Sequence, residues 1–245
     1  MPAVLPPVLI VAHGQPSDPA QAGAELARFA AQVALHLPGR ILASATLAEP
    51  GALARGVAEL GQGALVFPLF MAGGWFTRIN LPAKLREAGA VDWQVLEPFG
   101  CNPALHDLAV QVVAAALAGQ DPTTAQILIA AHGSSKSPVP SDIAHHLADK
   151  IKAALNPARI EAAFIDQTPQ LSTATGFGEN AICLPFFAAA GGHVTQDIPT
   201  ALAASGFQGR ILPALGLNTS APTIAAAAIT AAQPVCTTEC RYRRS

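Results

Sequence analysis

Charge is scarce in this 245-residue chain: only 12% of its residues are Asp, Glu, Lys or Arg, and the formal net charge is -2. A nucleic-acid partner needs a basic face to neutralise phosphates, so this balance argues against one. Long apolar runs are missing too. None reaches the roughly 18 residues of a membrane helix, which argues against a membrane partner. The opening stretch, Met1-Pro2-Ala3-Val4-Leu5-Pro6-Pro7, lacks the basic-then-apolar order of a secretory leader. Cysteine is sparse, and Cys101, Cys183, Cys236 and Cys240 are too irregularly spaced for a disulfide framework. The expectation is a cytoplasmic protein. What is plentiful is apolar: 51% of the chain is hydrophobic, enough to bury a sizeable core. The length suits one large domain or two of about 120 residues.

Short apolar runs alternate with Ala- and Leu-rich segments of helical length. Strands are expected at Val8–Ala12, Arg40–Thr46, Ala64–Phe70, Trp93–Glu97, Gln126–Ala131, Arg159–Ile165, Ala181–Phe187 and Arg210–Pro213. Helices are expected between them, among them Pro19–Leu37, Gly51–Leu60, Ile79–Ala88, Ala104–Leu117, Ser141–Leu155, Thr195–Ala204 and Pro222–Ala232, with a short helical piece near Pro169–Thr175. Apolar strands separated by helices imply an α/β fold whose parallel sheets are covered on both faces.

The order of elements repeats. Ala12-His13-Gly14 returns as Ala131-His132-Gly133 about 118 residues later, and Phe67-Pro68-Leu69-Phe70 followed by Gly73-Gly74-Trp75 returns as Leu184-Pro185-Phe186-Phe187 followed by Gly191-Gly192-His193. Leu81-Pro82 likewise matches Ile198-Pro199. The turn-rich Gly-Gln-Asp-Pro-Thr-Thr at 119–124 marks a boundary. The expected division is therefore residues 1–120 and 121–232 as two similar halves, with a polar, flexible tail at 233–245. Two fused halves favour a monomer. Ligands of open α/β sheets sit outside the carboxyl ends of the strands, so both His-Gly turns should lie on such a rim, with a cleft between the halves.

His132 and His193 are the residues on which chemistry can rest. Two neutral imidazoles facing one space suit a borderline divalent metal. They fall short of the three or four protein ligands of a settled zinc site, which fits a metal in transit better than one in store. Gly191 and Gly192 allow close approach to a ligand and backbone conformations closed to other residues. The helix that follows them should offer free N–H groups to an anion.

The combination Ala131-His132-Gly133-Ser134-Ser135, Leu184-Pro185-Phe186-Phe187 and Gly191-Gly192-His193-Val194-Thr195-Gln196-Asp197-Ile198-Pro199 resembles the sirohydrochlorin chelatase family, small class II chelatases of cobalamin and sirohaem synthesis related in fold to ferrochelatase. The resemblance covers the chain as two tandem halves and is better in the second. It implies insertion of Co²⁺ or Fe²⁺ into the tetrapyrrole sirohydrochlorin, without ATP and with no organic cofactor. By motif, His132 and His193 are the metal-binding and proton-accepting pair. An ordinary imidazole, with a pKa near 6.5, is well matched to taking up pyrrole protons. The acidic element of the family falls on Asp166, one methylene shorter than its glutamate. Ser134, Ser135, Lys136 and the backbone at Gly191 and Gly192 are candidates for holding the substrate's carboxylates.

In the first half Trp75 stands where His193 is expected, Gln15 follows His13-Gly14, and Asn80 matches Asp197. An indole does not ligate metal but can stack on a macrocycle. Trp75, Phe76 and Arg78 are thus candidates for contacting the tetrapyrrole or its carboxylates, and Met71 reads as packing. His145 and His146 read as a solvated helix face, and His36 and His106 as outer-helix residues. Cys236 and Cys240 make an incomplete pair with no assigned role. A histidine phosphatase would want an arginine before the histidine, where Ala12 and Ala131 stand. A non-catalytic metal or tetrapyrrole carrier with the same fold stays open.

Overall fold

The structure, a computed structural model, describes residues 5–236 and 240–244. The first sheet contains β1 (Val8–Ala12), β2 (Leu42–Thr46), β3 (Leu65–Pro68) and β4 (Gln94–Val95) in the order β2-β1-β3-β4, all parallel. The second contains β5 (Gln126–Ala131), β6 (Arg159–Phe164), β7 (Ile182–Pro185) and β8 (Arg210–Ile211) in the order β6-β5-β7-β8, again all parallel. The fold is the expected α/β arrangement of two similar halves. The central strands are apolar on both faces because helices cover both: Ile127, Leu128, Ile129 and Ala130 are each fully buried.

The helices are α1 (Pro19–Ala34), α2 (Ala52–Leu60), α3 (Leu81–Glu87), α4 (Pro103–Ala116), α5 (Val139–Leu155), α6 (Ile198–Ala204) and α7 (Ala221–Ala231). Asp18 starts α1 by accepting from the Gln21 N–H, with Pro19 at the first helical position. Ahead of α3 and α6 the chain makes a wide π turn, at Phe76–Asn80 and His193–Asp197, which overlaps the starts of the helices expected from Ile79 and Thr195. Pro82 and Pro199, second residues of α3 and α6, lack an N–H and crowd the carbonyl four residues earlier. Bonds from the Leu81 and Ile198 N–H groups to the carbonyls of Phe76 and His193, five residues back, accommodate them.

Among the described residues, packing groups residues 5–102 with 219–236, and residues 103–218 with 240–244. Each unit thus takes its last helix from the other half of the sequence. α4 packs on α5 and β7 in the second unit, while α7 packs on α1 in the first. The segment read as a flexible tail makes specific contacts. The Glu97 N–H donates to the Gln233 carbonyl (2.8 Å) and the Val235 N–H to that of Val95 (3.0 Å), adding an antiparallel edge beside β4. Arg243 pairs with Asp142 at 2.8 Å, Arg244 with Asp149 at 2.6 Å, and Tyr242 stacks on His146 with ring centres 4.5 Å apart. These partners lie far away in sequence, beyond what composition can reveal; residues 237–239 and 245 lie outside the described residues.

His106, read as an outer-helix residue, is fully buried, and His145 and His146 are half-buried rather than solvated. Cys101 and Cys183 are buried as expected, and burial pushes the Cys183 thiol up to about 12. Among the described residues no helix is long and apolar enough to cross a membrane.

Two expectations follow. A Cβ at Gly216 would lie 2.3 Å from the Ala188 carbonyl oxygen, whereas one at Gly178 would meet nothing nearer than 3.9 Å. Gly216→Ala should cost about 3 kcal/mol in urea unfolding and Gly178→Ala under about 0.5 kcal/mol. Burial first, and then Arg244 beside His145 and Lys150 beside His146, hold both imidazoles below their ordinary 6.5. The unfolded chain takes up these protons first, so stability should fall as pH drops through about 6.5 and level off below the folded values. The urea midpoint should decrease from about pH 7 to about pH 5, and a His145→Gln/His146→Gln variant should lose part of that decrease.

Candidate active site

The site is built on β5. That strand lies between β6 and β7, so its carboxyl end is flanked by theirs. At this end Gly133 takes a φ of +73°, and a Cβ there would stand 2.8 Å from Phe164 Cβ and 2.9 Å from Gln167 Cβ. Only glycine lets the chain turn this tightly against β6. The turn leaves the His132 carbonyl to accept the Asp166 N–H at 2.9 Å, which fixes Asp166 beside the histidine. Asp166 Oδ2 lies 3.6 Å from His132 Nε2. His132 Nδ1 lies 3.0 Å from the Gly133 carbonyl oxygen. A carbonyl can only accept, so Nδ1 carries the hydrogen and Nε2 keeps its lone pair.

β7 delivers the second histidine. The Phe186 N–H donates to the Ala130 carbonyl (2.8 Å), and the Gly216 N–H donates to the Phe187 carbonyl (2.9 Å), which ties down the chain leading to the π turn. His193 then meets His132 with ring centres 4.7 Å apart and planes at 87°. His193 Nδ1 lies 2.7 Å from Asp197 Oδ2. All four side chains are about half exposed, with 45% for His132 and 48% for His193, so the pair is open to a ligand from outside.

The structure thus gathers His132, His193 and Asp166. Ser134 is close by, its N–H donating to Gln167 Oε1 at 2.8 Å and its hydroxyl accepting the Lys136 N–H at 3.1 Å; Ser135 and Lys136 are exposed. Two expectations about the glycine turn need correction. Neither Gly191 nor Gly192 has a positive φ, so the turn does not use glycine's left-handed freedom. The N–H groups of Val194 and Thr195 both bond the Gly191 carbonyl, because the π turn begins there, and are not free for an anion. Among the described residues no group of three or more His, Cys, Asp or Glu is arranged to hold a metal ion.

The first unit repeats this frame with different side chains. Gly14 has a φ of +75° against Thr46, and the His13 carbonyl accepts the Ala48 N–H at 2.9 Å, so Ala48 occupies the place of Asp166. Phe76 opens the π turn eight residues beyond the end of β3, as His193 does beyond β7. Phe76, not Trp75, therefore corresponds to His193, and it lies 5.0 Å from the His13 ring. Trp75 corresponds to Gly192 and is 58% exposed. Asn80 sits in the place of Asp197, as the sequence indicates. Arg78 Nε bonds the Gly74 carbonyl at 3.3 Å. Reading the sequence missed Asp197 as a partner of His193, although its place four residues on, within the same turn, was a usable signal.

Residues 126–232 match the CbiX family model. No curated protein gives a significant match. A solved structure of CbiX, described as the terminal enzyme for siroheme biosynthesis in denitrifying bacteria, is 43% identical, with a TM-score of 0.85 over 92% of this chain and 99% of that one. SirB from Bacillus subtilis with Fe³⁺ is 15% identical (TM-score 0.69; 91% and 93% covered), and SirB from Bacillus subtilis subspecies spizizenii with cobalt is also 15% identical (TM-score 0.64; 92% of each chain). These two carry likeness of fold alone. With two parallel sheets of the same order, a histidine pair at one rim and 43% identity across nearly the whole of both chains, the chain belongs to the CbiX family of sirohydrochlorin chelatases.

Proposed function

We propose that the protein inserts Fe²⁺ or Co²⁺ into sirohydrochlorin, with His132 and His193 as the residues that receive the metal and accept the displaced protons. The observation that carries this reading is the pairing of two half-exposed imidazoles 4.7 Å apart, each with Nδ1 engaged by an acceptor of its own. That engagement leaves both Nε2 lone pairs available to a metal or a proton.

The reaction exchanges one divalent cation for two pyrrole N–H protons. Each proton needs an acceptor as its nitrogen turns to the metal, and two imidazoles supply two acceptors. Imidazole binds these metals well enough to hold them, and a site with so few protein ligands can surrender the ion to four macrocycle nitrogens. Asp166 adds a negative charge 3.6 Å from His132 Nε2. A lone pair facing a carboxylate is stabilised when a cation or proton comes between them, so this geometry favours both the arriving metal and the departing proton. The exchange makes metal–nitrogen bonds without coupling to a phosphoryl transfer, in line with a reaction that needs no ATP.

The substrate's carboxylates call for hydrogen-bond donors, and we assign Ser134, Ser135 and Lys136 to that task. In the first unit, Trp75 presents an exposed indole face, a surface suited to stacking on a flat ring. With Phe76 and Ala48 in place of an imidazole and a carboxylate, that unit lacks the donors to hold metal.

The test follows the absorbance change of sirohydrochlorin with Co²⁺ and with Fe²⁺, side by side. His132→Ala and His193→Ala should each lower the rate at least about a hundredfold, toward the uncatalysed background. His13→Ala should have a much smaller effect. A harmful His13→Ala beside a harmless His193→Ala would put the working site in the other unit; no acceleration by wild type with either metal would leave a carrier. Asp166→Asn should lower kcat at least about tenfold with little change in metal-free folding.

A further inference from the structure

Asp197 occupies a position where a carboxylate ordinarily has other work. It is the first flanking residue of α6, where an aspartate usually accepts a backbone N–H of the next turn. Here it makes no such cap. Its backbone is helical (φ -68°, ψ -44°) because the π turn runs directly into α6. Its Oδ2 lies instead 2.7 Å from His193 Nδ1. The carboxylate is half exposed, so the contact is not forced by burial.

The first unit provides the natural counterpart. Its π turn has Phe76 where His193 stands and Asn80 where Asp197 stands. Asn80 Oδ1 is buried there with no hydrogen-bond partner. The Asn80 amide oxygen thus stands where Asp197 places its carboxylate, in a turn that has a phenyl ring in place of the imidazole. The unit that lacks the second imidazole also lacks the carboxylate that would hold it, while the His-Gly turn is common to both.

We infer that Asp197 is a positioning residue for metal insertion: by accepting the Nδ1–H it fixes His193 in one tautomer and one ring orientation, with Nε2 aimed outward as ligand and base. The inference rests on the chelatase reading for its catalytic consequence and on the geometry of the turn for its physical content. Metal-binding histidines are commonly oriented this way, and removing such a partner lowers metal affinity or activity by about ten- to a hundredfold.

The experiment uses the full chain carrying Asp197→Ala and, as the conservative variant, Asp197→Glu. Two quantities are read: the steady-state rate of Co²⁺ insertion into sirohydrochlorin, and the tautomer of His193 from ring ¹⁵N chemical shifts without metal or substrate. Asp197→Ala should lower kcat about ten- to a hundredfold while KM for the tetrapyrrole stays within about twofold. Its His193 ring should change from the Nδ1–H form toward a mixture of tautomers. Asp197→Glu should recover most of the rate and the wild-type ring signals. An Asp197→Ala enzyme with wild-type kcat, or one with an unchanged His193 tautomer, overturns the inference. A wild-type protein that inserts no metal defeats the chelatase reading instead, and the ring signals of the two variants then decide on Asp197 alone.

Discussion

A parallel strand buried on both faces and flanked by two others can expose side chains only where it ends. In the second unit that strand is β5, fully buried from Ile127 to Ala130. Its neighbours β6 and β7 run the same way, so all three release their chains at one rim. His132 is the first residue beyond β5, Asp166 follows β6 closely, and the chain leaving β7 reaches His193 after the glycine turn. The grouping of His132, Asp166 and His193 needs no long-range device to assemble it, because strand order and direction do so. Gly133 sharpens the arrangement: without its positive φ and missing Cβ, β6 could not come near enough for the Asp166 N–H to bond the His132 carbonyl.

The duplicated frame separates what the fold requires from what the chemistry requires. Gly14 and Gly133 make the same turn, Gly100 and Gly216 tie down the same loop, and both units have a π turn ahead of a helix with proline at its second position. These are the shared terms of folding. The differences are concentrated at three places: Ala48 for Asp166, Phe76 for His193 and Asn80 for Asp197. Each removes a charge or a donor atom while leaving the backbone course alone. The proposed handling of a cation and protons therefore rests on the second unit.

Much of this was legible in the residues. Gln126–Ala131 is a strand as the sequence implies, because the apolar run Ile127–Ala131 ahead of His-Gly leaves little alternative. The two histidines came forward from equally local signals: His132 ends a strand pattern just ahead of a glycine, and His193 follows Gly191-Gly192. The one-residue slip that set Trp75 opposite His193 arose from aligning Gly73-Gly74 with Gly191-Gly192. The flanking matches of Phe70 with Phe187 and Asn80 with Asp197 carried the true register, and the hydrogen bonds from Gly100 to Phe70 and from Gly216 to Phe187 agree with it. The exchange of α4 and α7 between units was hidden, since an apolar helix face does not say which sheet it covers. The contacts of His106, His146 and Tyr242 depend on that exchange and on the last residues of the chain.

The proposed chemistry depends on His132 and His193 together taking hold of the metal. Anomalous diffraction at the cobalt edge from crystals soaked in Co²⁺ reads this directly. The expected result is a peak within bonding distance of both Nε2 atoms, about 2.1 Å from each, with none at His13. A peak at His13, or none at the His132–His193 pair in crystals where the metal binds elsewhere, would contradict it.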